Sequence, residues 1–244
     1  MPKHIVFDVV GTLITYPSLI STLTNRLGPQ LLAQNITPSH LIATWFEVAE
    51  REYAYLSISN AYLPFDTCFE NLFYRTLFIA GIRDPKAFAS REDLDAVLQA
   101  YKSLTAREGA AECVRLLTEA GFTVWGLTAG SKVRVSGYLD AGEVGIPEGR
   151  LLSCDEGGVG KPDLRAYRPL WERLTTDERG EDEGVWFAAA HAWDVSAARR
   201  VGFKAAYCTA LEGEPIPELF GEMDVVGESL VEMAKGIITA QGGR

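Results

Sequence analysis

Apolar and polar positions change rhythm twice along this chain. His4 to Phe7 is a strand-type apolar run that ends in one acid, Asp8, followed by Val9-Val10-Gly11-Thr12-Leu13. Residues 15 to 104 then show helical periodicity, predicting helices over Ser18 to Leu27, His40 to Ser57, Asp66 to Ala80 and Glu92 to Leu104. No strong strand candidate interrupts them. After residue 105 helices and strands alternate. Glu108 to Ala120 reads as a helix, with Ala111, Val114, Leu117 and Ala120 at spacing three and Gly121 as its stop. Phe122 to Thr128 reads as a buried strand, Lys132 to Ala141 as a helix, Leu151 to Cys154 as a short strand and Arg165 to Leu174 as a helix. Val185 to Ala190 is strand-like, Val195 to Val201 helical, and Lys204 to Cys208 and Asp224 to Val226 strand-like. The last helix covers roughly Ser229 to Ala240.

Strands alternating with helices imply a parallel sheet covered on both faces. Asp8, Thr128 and the stretch His191 to Asp194 all fall just past the carboxyl ends of strands, where open α/β sheets bind ligands. The all-helical block between the first strand and the others reads as an insertion. The expected division is a core of residues 1–14 and 105–244 with a helical cap over residues 15–104, which could exclude water and choose the substrate.

Composition narrows the function classes. The net charge of -10 argues against nucleic acid, whose phosphates need a basic surface. No apolar run approaches the ~20 residues that span a bilayer, so no membrane contact is expected. Met1-Pro2-Lys3-His4 leads straight into strand-like residues, leaving no visible secretory leader and pointing to the cytoplasm. Cys68, Cys113, Cys154 and Cys208 are scattered, as expected of reduced, buried thiols. No Cys or His lies three or four residues from another, which argues against zinc. The expected partner is a small-molecule substrate, and a homodimer stays open.

Asp8 can be a nucleophile, forming an ester or acyl phosphate that water then cleaves. For that it needs a dry cleft and a neighbouring cation, for which Lys161 is the candidate. It could instead merely accept N–H groups of the following turn. Thr12 could aim the carboxylate or satisfy its own turn. Thr128-Ala129-Gly130 lies at a strand-to-helix turn that could hold an anion, or Thr128 could serve as an N-cap. The loop Gly157 to Pro162 is no phosphate-binding P-loop, because Pro162 follows Gly160-Lys161. Tyr167 is either core or site. Asp194 could join the site or cap a helix starting at Val195. His191, three residues before it, could activate water near neutral pH.

Asp8-x-Val10-Gly11-Thr12, Thr128, Lys161-Pro162-Asp163 and Asp194, in that order, resemble the four motifs of the haloacid dehalogenase superfamily. Lys161-Pro162-Asp163-x-Arg165-x-Tyr167, His191-Ala192-Trp193-Asp194, Glu52-Tyr53 and Tyr55-Leu56 are similar to its type II 2-haloacid dehalogenase branch. The resemblance implies an α/β fold, a Rossmann-like parallel sheet core with an inserted helical cap, and hydrolysis through a covalent ester. It implies Asp8 as nucleophile, Lys161 as its cation, and Asp194 as a second carboxylate holding Lys161 or positioning water. It makes Thr12, Val10, Thr128, Ala129 and Tyr167 substrate-side residues. No cofactor is expected.

Two positions depart from the pattern. Superfamily phosphatases carry a second acid two residues after the nucleophile, where this chain has Val10. A valine transfers no proton, and losing a general acid typically costs ~10²–10⁴-fold. Halide leaves as a stable anion and needs none, so Val10 favours displacement at carbon. The alternatives are a Mg²⁺-dependent phosphatase, with Asp8 and Asp194 as metal ligands, and a non-catalytic metabolite-binding descendant. The dehalogenase branch also uses a cap arginine for the substrate carboxylate. Alignment of the cap motifs puts Glu47 there, leaving Arg51, one helical turn on, as the substitute, or as an i,i+4 partner of Glu47. Arg75 is a further candidate.

Overall fold

A computed structural model describes residues 3–175 and 184–242. The chain divides into two compact units: Met1–Thr15 with Ala106–Arg244, and Tyr16–Thr105.

Six parallel strands form the sheet of the first unit: β1 (Lys3–Asp8), β4 (Phe122–Thr128), β5 (Leu151–Ser153), β6 (Trp186–Ala189), β7 (Lys204–Cys208) and β8 (Val225–Gly227). Two short strands, β2 (Ile14–Thr15) and β3 (Thr105–Ala106), lie at the chain's two crossings between the units. The sheet order is β5-β4-β1-β6-β7-β8. From β1 the chain builds outward through β4 to β5, then returns to the other side of β1 with β6. The order therefore reverses at β1, and the crevice of an open sheet opens at the carboxyl end of that strand. The register sets Asp8 beside Leu127, one residue short of Thr128. Ile5, Val6 and Phe7 are fully buried between two neighbouring strands, which is why the run is continuously apolar rather than alternating.

The helices of this unit are α6 (Ala110–Glu119), α7 (Lys132–Ala141), α8 (Cys154–Gly157), α9 (Leu164–Thr175), α10 (Ala192–Val201), α11 (Pro217–Phe220) and α12 (Leu230–Gly242). The buried face of α6 is Ala110, Cys113, Val114 and Leu117, not the strict spacing of three expected from sequence. A constant step of three drifts around a 3.6-residue helix, whereas steps of three and four stay on one face. Helix α10 begins at Ala192, three residues earlier than expected. Asp194 thus lies in its first turn instead of at its N-cap, which is His191.

The second unit holds α1 (Pro17–Leu32), α2 (Pro38–Ile58), α3 (Phe65–Ile79), α4 (Pro85–Phe88) and α5 (Arg91–Tyr101). Helix α1 runs past Gly28-Pro29, where the sequence reading ends it. An interior proline costs ~3 kcal/mol. Burial of Leu31, worth about 1.5–3 kcal/mol, offsets much of that and retains the last turn. Trp45 stacks on Phe69 at 4.0 Å and donates from Nε1 to the Phe69 carbonyl at 2.8 Å. Phe65, Phe69 and Phe73 are core, while Phe78 is exposed.

All four cysteines are buried, and none forms a disulfide. Among the described residues no helix is long and apolar enough to cross a membrane.

Candidate active site

The site is built on the turn that stops β1. The N–H groups of Leu13 and Ile14 both donate to the Val9 carbonyl at 2.9 Å, and Gly11 N–H donates to the Ile14 carbonyl at 2.8 Å. This tight reversal needs φ +95° at Gly11, a conformation that side chains resist. A Cβ there would also stand 2.3 Å from Cε1 of His191, so the bare backbone and the imidazole occupy adjoining space. The turn returns Thr12 beneath the Asp8 carboxylate. Its hydroxyl donates to Asp8 Oδ2 at 2.7 Å and accepts from Ala190 N–H at 2.8 Å. With the lone pair engaged by that N–H, the hydroxyl proton is committed to Asp8.

Lys161 approaches from the loop before α9. Its Nζ donates to Asp8 Oδ1 at 3.0 Å and to Asp194 Oδ2 at 2.7 Å. Its stem is buried, and the ammonium lies 5.3 Å from the centre of the Phe187 ring. The hydroxyl of Tyr167, on α9, donates to Asp194 Oδ1. Both oxygens of the fully buried Asp194 are therefore engaged by protein donors, Lys161 on one and Tyr167 on the other. The first-turn position of Asp194 on α10 further favours its charge. His191 Nδ1 lies 3.4 Å from Asp8 Oδ2, and the imidazole packs 5.3 Å from Trp193.

Burial opposes charge on Asp8. Lys161, His191 and the Thr12 hydroxyl together outweigh it and hold the carboxyl well below the usual carboxylate range. Burial also opposes charge on Lys161, but Asp194 and Asp8 outweigh that and hold the ammonium above its ordinary value. Asp194 goes the other way: burial and the neighbouring Asp8 charge raise it despite Lys161 and Tyr167. Burial pushes the Tyr167 hydroxyl well up, with Asp194 adding to the rise, so it remains a donor. One ammonium thus serves two carboxylates, and Asp8 is the more firmly ionised.

Thr128 closes β4. Its hydroxyl accepts from Gly130 N–H at 3.1 Å, while the N-cap position of α7 belongs to Ser131. Ala129 is half-buried beside it. Val10 is half-buried and bridges to Ile14 within the turn. Asp8, Thr12, Lys161, Tyr167, His191 and Asp194 are thus joined by direct contacts, with Thr128 and Ala129 on the adjoining strand end. Arg51 is on the helical unit, where it pairs with Glu52 at 3.1 Å instead of Glu47; Arg75 lies 3.9 Å from the same carboxylate.

Magnesium was the alternative for the acid pair. The Lys161 ammonium lies between Asp8 and Asp194, where a cation shared by the two would sit. Among the described residues no group of three or more His, Cys, Asp or Glu side chains is placed to hold a metal. The charge of the acid pair is thus already met by a cation of the protein itself.

Two residues escaped the sequence reading. Arg107 donates to the carbonyls of Gly11 at 2.6 Å and Thr12 at 2.8 Å. Glu212 accepts from the N–H of Ala192 at 2.8 Å, capping the helix that carries Asp194. Each acts on main chain far away in sequence, and no local motif signals that.

Comparison with known proteins places this geometry. Residues 2–202 match the haloacid dehalogenase-like hydrolases. The (S)-2-haloacid dehalogenase of Pseudomonas putida is 25% identical over 241 residues, covering 98% of this chain and 97% of the relative. A crystal structure of a dehalogenase, 25% identical, superposes with a TM-score of 0.76 over 95% of both chains. The L-2-haloacid dehalogenase of Xanthobacter autotrophicus, 20% identical, shares the fold with a TM-score of 0.76, over 97% of this chain and 98% of that one. The chain belongs to the haloacid dehalogenase-like hydrolase family.

Proposed function

We propose that this protein is a hydrolase of the (S)-2-haloacid dehalogenase type, acting through an ester on Asp8. The observation that carries the reading is the state of Asp8: a buried carboxylate kept ionised by Lys161, aimed by Thr12, and followed at position 10 by a residue with no proton to give. Such a site suits a leaving group that departs as an anion.

One oxygen of Asp8 attacks C2 of the substrate from the side opposite the halogen. The C–O bond forms as the carbon–halogen bond breaks, and halide leaves with the bonding pair. Lys161 keeps the carboxylate ionised without bulk water, the condition under which a weak nucleophile gains most. Thr128 and the main-chain N–H groups of its turn are suited to the substrate carboxylate. Water then adds to Cγ of the ester, assisted by the imidazole of His191, which takes the proton. Cleavage of the Cγ–O bond to the substrate expels an alkoxide, which takes the proton back from His191 and leaves as the 2-hydroxy acid, while the new Asp8 carboxyl releases its proton and is a carboxylate again. Asp194 and Tyr167 hold Lys161 in place throughout.

The route of oxygen tests this. A single turnover of 2-chloropropionate in ¹⁸O-water is expected to place one label in the Asp8 carboxylate and none in the new hydroxyl of the product. Label in the product alone means direct attack by water and overturns the ester. Asp8→Asn is expected to abolish halide release.

A further inference from the structure

The Asp8 turn ends with three consecutive carbonyls, those of Gly11, Thr12 and Leu13, all bonded to one residue. The Arg107 guanidinium donates to Gly11 O at 2.6 Å through Nη2 and to Thr12 O at 2.8 Å through Nε. The main-chain N–H of Arg107 donates to Leu13 O at 2.7 Å. Nη1 reaches the carbonyl of Ala210 at 3.4 Å, in the loop that carries Glu212. We infer that Arg107 is a positioning residue for the nucleophile: it holds the Gly11–Thr12 turn so that the Thr12 hydroxyl meets Asp8 and the bare face of Gly11 meets His191.

The physical case rests on what those carbonyls would otherwise do. Adjacent carbonyl dipoles converging on one point repel one another, and the buried Gly11–Leu13 stretch cannot leave them to water. A planar guanidinium, with donors splayed in a fork, bonds several at once, whereas an ammonium presents a compact point charge. Every hydrogen bond Arg107 makes among the described residues goes to main chain, so its charge is spent on backbone geometry. Both consequences of that geometry bear on Asp8. Thr12 Oγ1 stands 2.7 Å from Oδ2, and rotation of the Gly11–Thr12 peptide would withdraw it. The Gly11 face confines the imidazole that lies 3.4 Å from the same oxygen. Through Ala210 the guanidinium also steadies the loop whose Glu212 caps α10, the helix of Asp194. The residue touches no reacting atom and acts through Thr12, Gly11 and this loop.

The inference rests on the ester reading for its kinetic consequence but has a readout of its own. The variants are Arg107→Met and Arg107→Lys, with Arg107→Gln if the methionine variant does not fold. Two quantities are measured on the whole chain: the single-turnover rate of Asp8 ester formation with 2-chloropropionate, by mass spectrometry, and the proton NMR signal of His191 Hε1. Misplacing a reacting group by about 1 Å costs on the order of 10²-fold. Ester formation in Arg107→Met is expected to slow by about that factor, with KM held within about threefold. The His191 Hε1 signal should move, because Cε1 lies against Gly11, and Arg107→Lys should recover part of both. A methionine variant that forms ester within threefold of the wild-type rate, or leaves the Hε1 signal in place, overturns the inference. If the wild type forms no ester with any 2-haloacid, the haloacid reading falls, and the Hε1 signal alone decides the role of Arg107.

Discussion

His191 Nδ1 stands 3.4 Å from Oδ2 of Asp8, on the side of the carboxylate opposite the Lys161 contact to Oδ1. Before alkylation the imidazole faces an anion. In the proposed reaction it then faces a neutral ester, beside the carbon that water would attack, where a neutral imidazole can accept the water's proton. His191→Asn keeps a polar planar group but removes the basic nitrogen. Ester formation should stay within about tenfold of wild type, while ester hydrolysis slows by ~10²–10⁴-fold. A burst of one halide per protein, with the adduct accumulating on Asp8, checks this. Loss of the burst itself would place His191 in the displacement step instead.

Gly11 and His191 should behave as a coupled pair. Gly11→Ala imposes two separate costs. The first is φ +95° on a residue with a Cβ, about 1–3 kcal/mol for strained backbone. The second is a Cβ 2.3 Å from Cε1 of His191, which forces the ring or the turn to move. Only the second vanishes when the imidazole is gone. Urea unfolding should therefore show Gly11→Ala destabilising the wild type by at least ~1 kcal/mol more than it destabilises His191→Ala, a coupling in the range expected of residues in contact. Equal costs in the two backgrounds would mean that the ring yields freely.

What the sequence discloses here depends on how local the cause is. The strand ending in Asp8 and the alternation after residue 105 are local patterns, and they point to a parallel sheet with chemistry at its carboxyl edge. That Asp8 needs a cation is legible from its chemistry, but the order of motifs that brings Lys161 and Asp194 to it comes from the family resemblance, since the contact between Lys161 and Asp8 spans 153 residues. The sequence leaves Tyr167 open between core and site; in the structure its ring is buried against Phe187 and its hydroxyl donates to Asp194. The start of α10 was misplaced because a histidine N-cap without a side-chain cap bond carries little signal, and Glu212 supplies the missing acceptor from another loop. Arg107 was invisible for the same reason, since its partners are carbonyls, which every residue has.

Removing Lys161 should make stability fall as pH rises across the neutral range. In the wild type, the raised Lys161 contributes stability that is fully present below its usual 10.5 and is lost as pH rises past the native value. The depressed Asp8 contributes stability that is present above its usual 3.8 and is lost as pH falls toward the native value. Asp194, raised, opposes folding as pH climbs through its own native value. Together these make the site's contribution fall away in acid as Asp8 takes up a proton and in alkali as Lys161 gives one up, with the Asp194 penalty setting in as that carboxyl ionises. Lys161→Met leaves two buried carboxylates without their shared cation, and breaking a buried pair this way costs about 3–5 kcal/mol at neutral pH. The native variant relieves the repulsion by taking up a proton, so its folded carboxyl titrates above the unfolded one. By the same linkage its stability is greatest in acid and declines as pH rises toward 8. Thermal unfolding of both proteins between pH 4 and 8 checks the sign. A variant whose Tm runs parallel to the wild type across that range would show that Lys161 is not what keeps Asp8 and Asp194 charged.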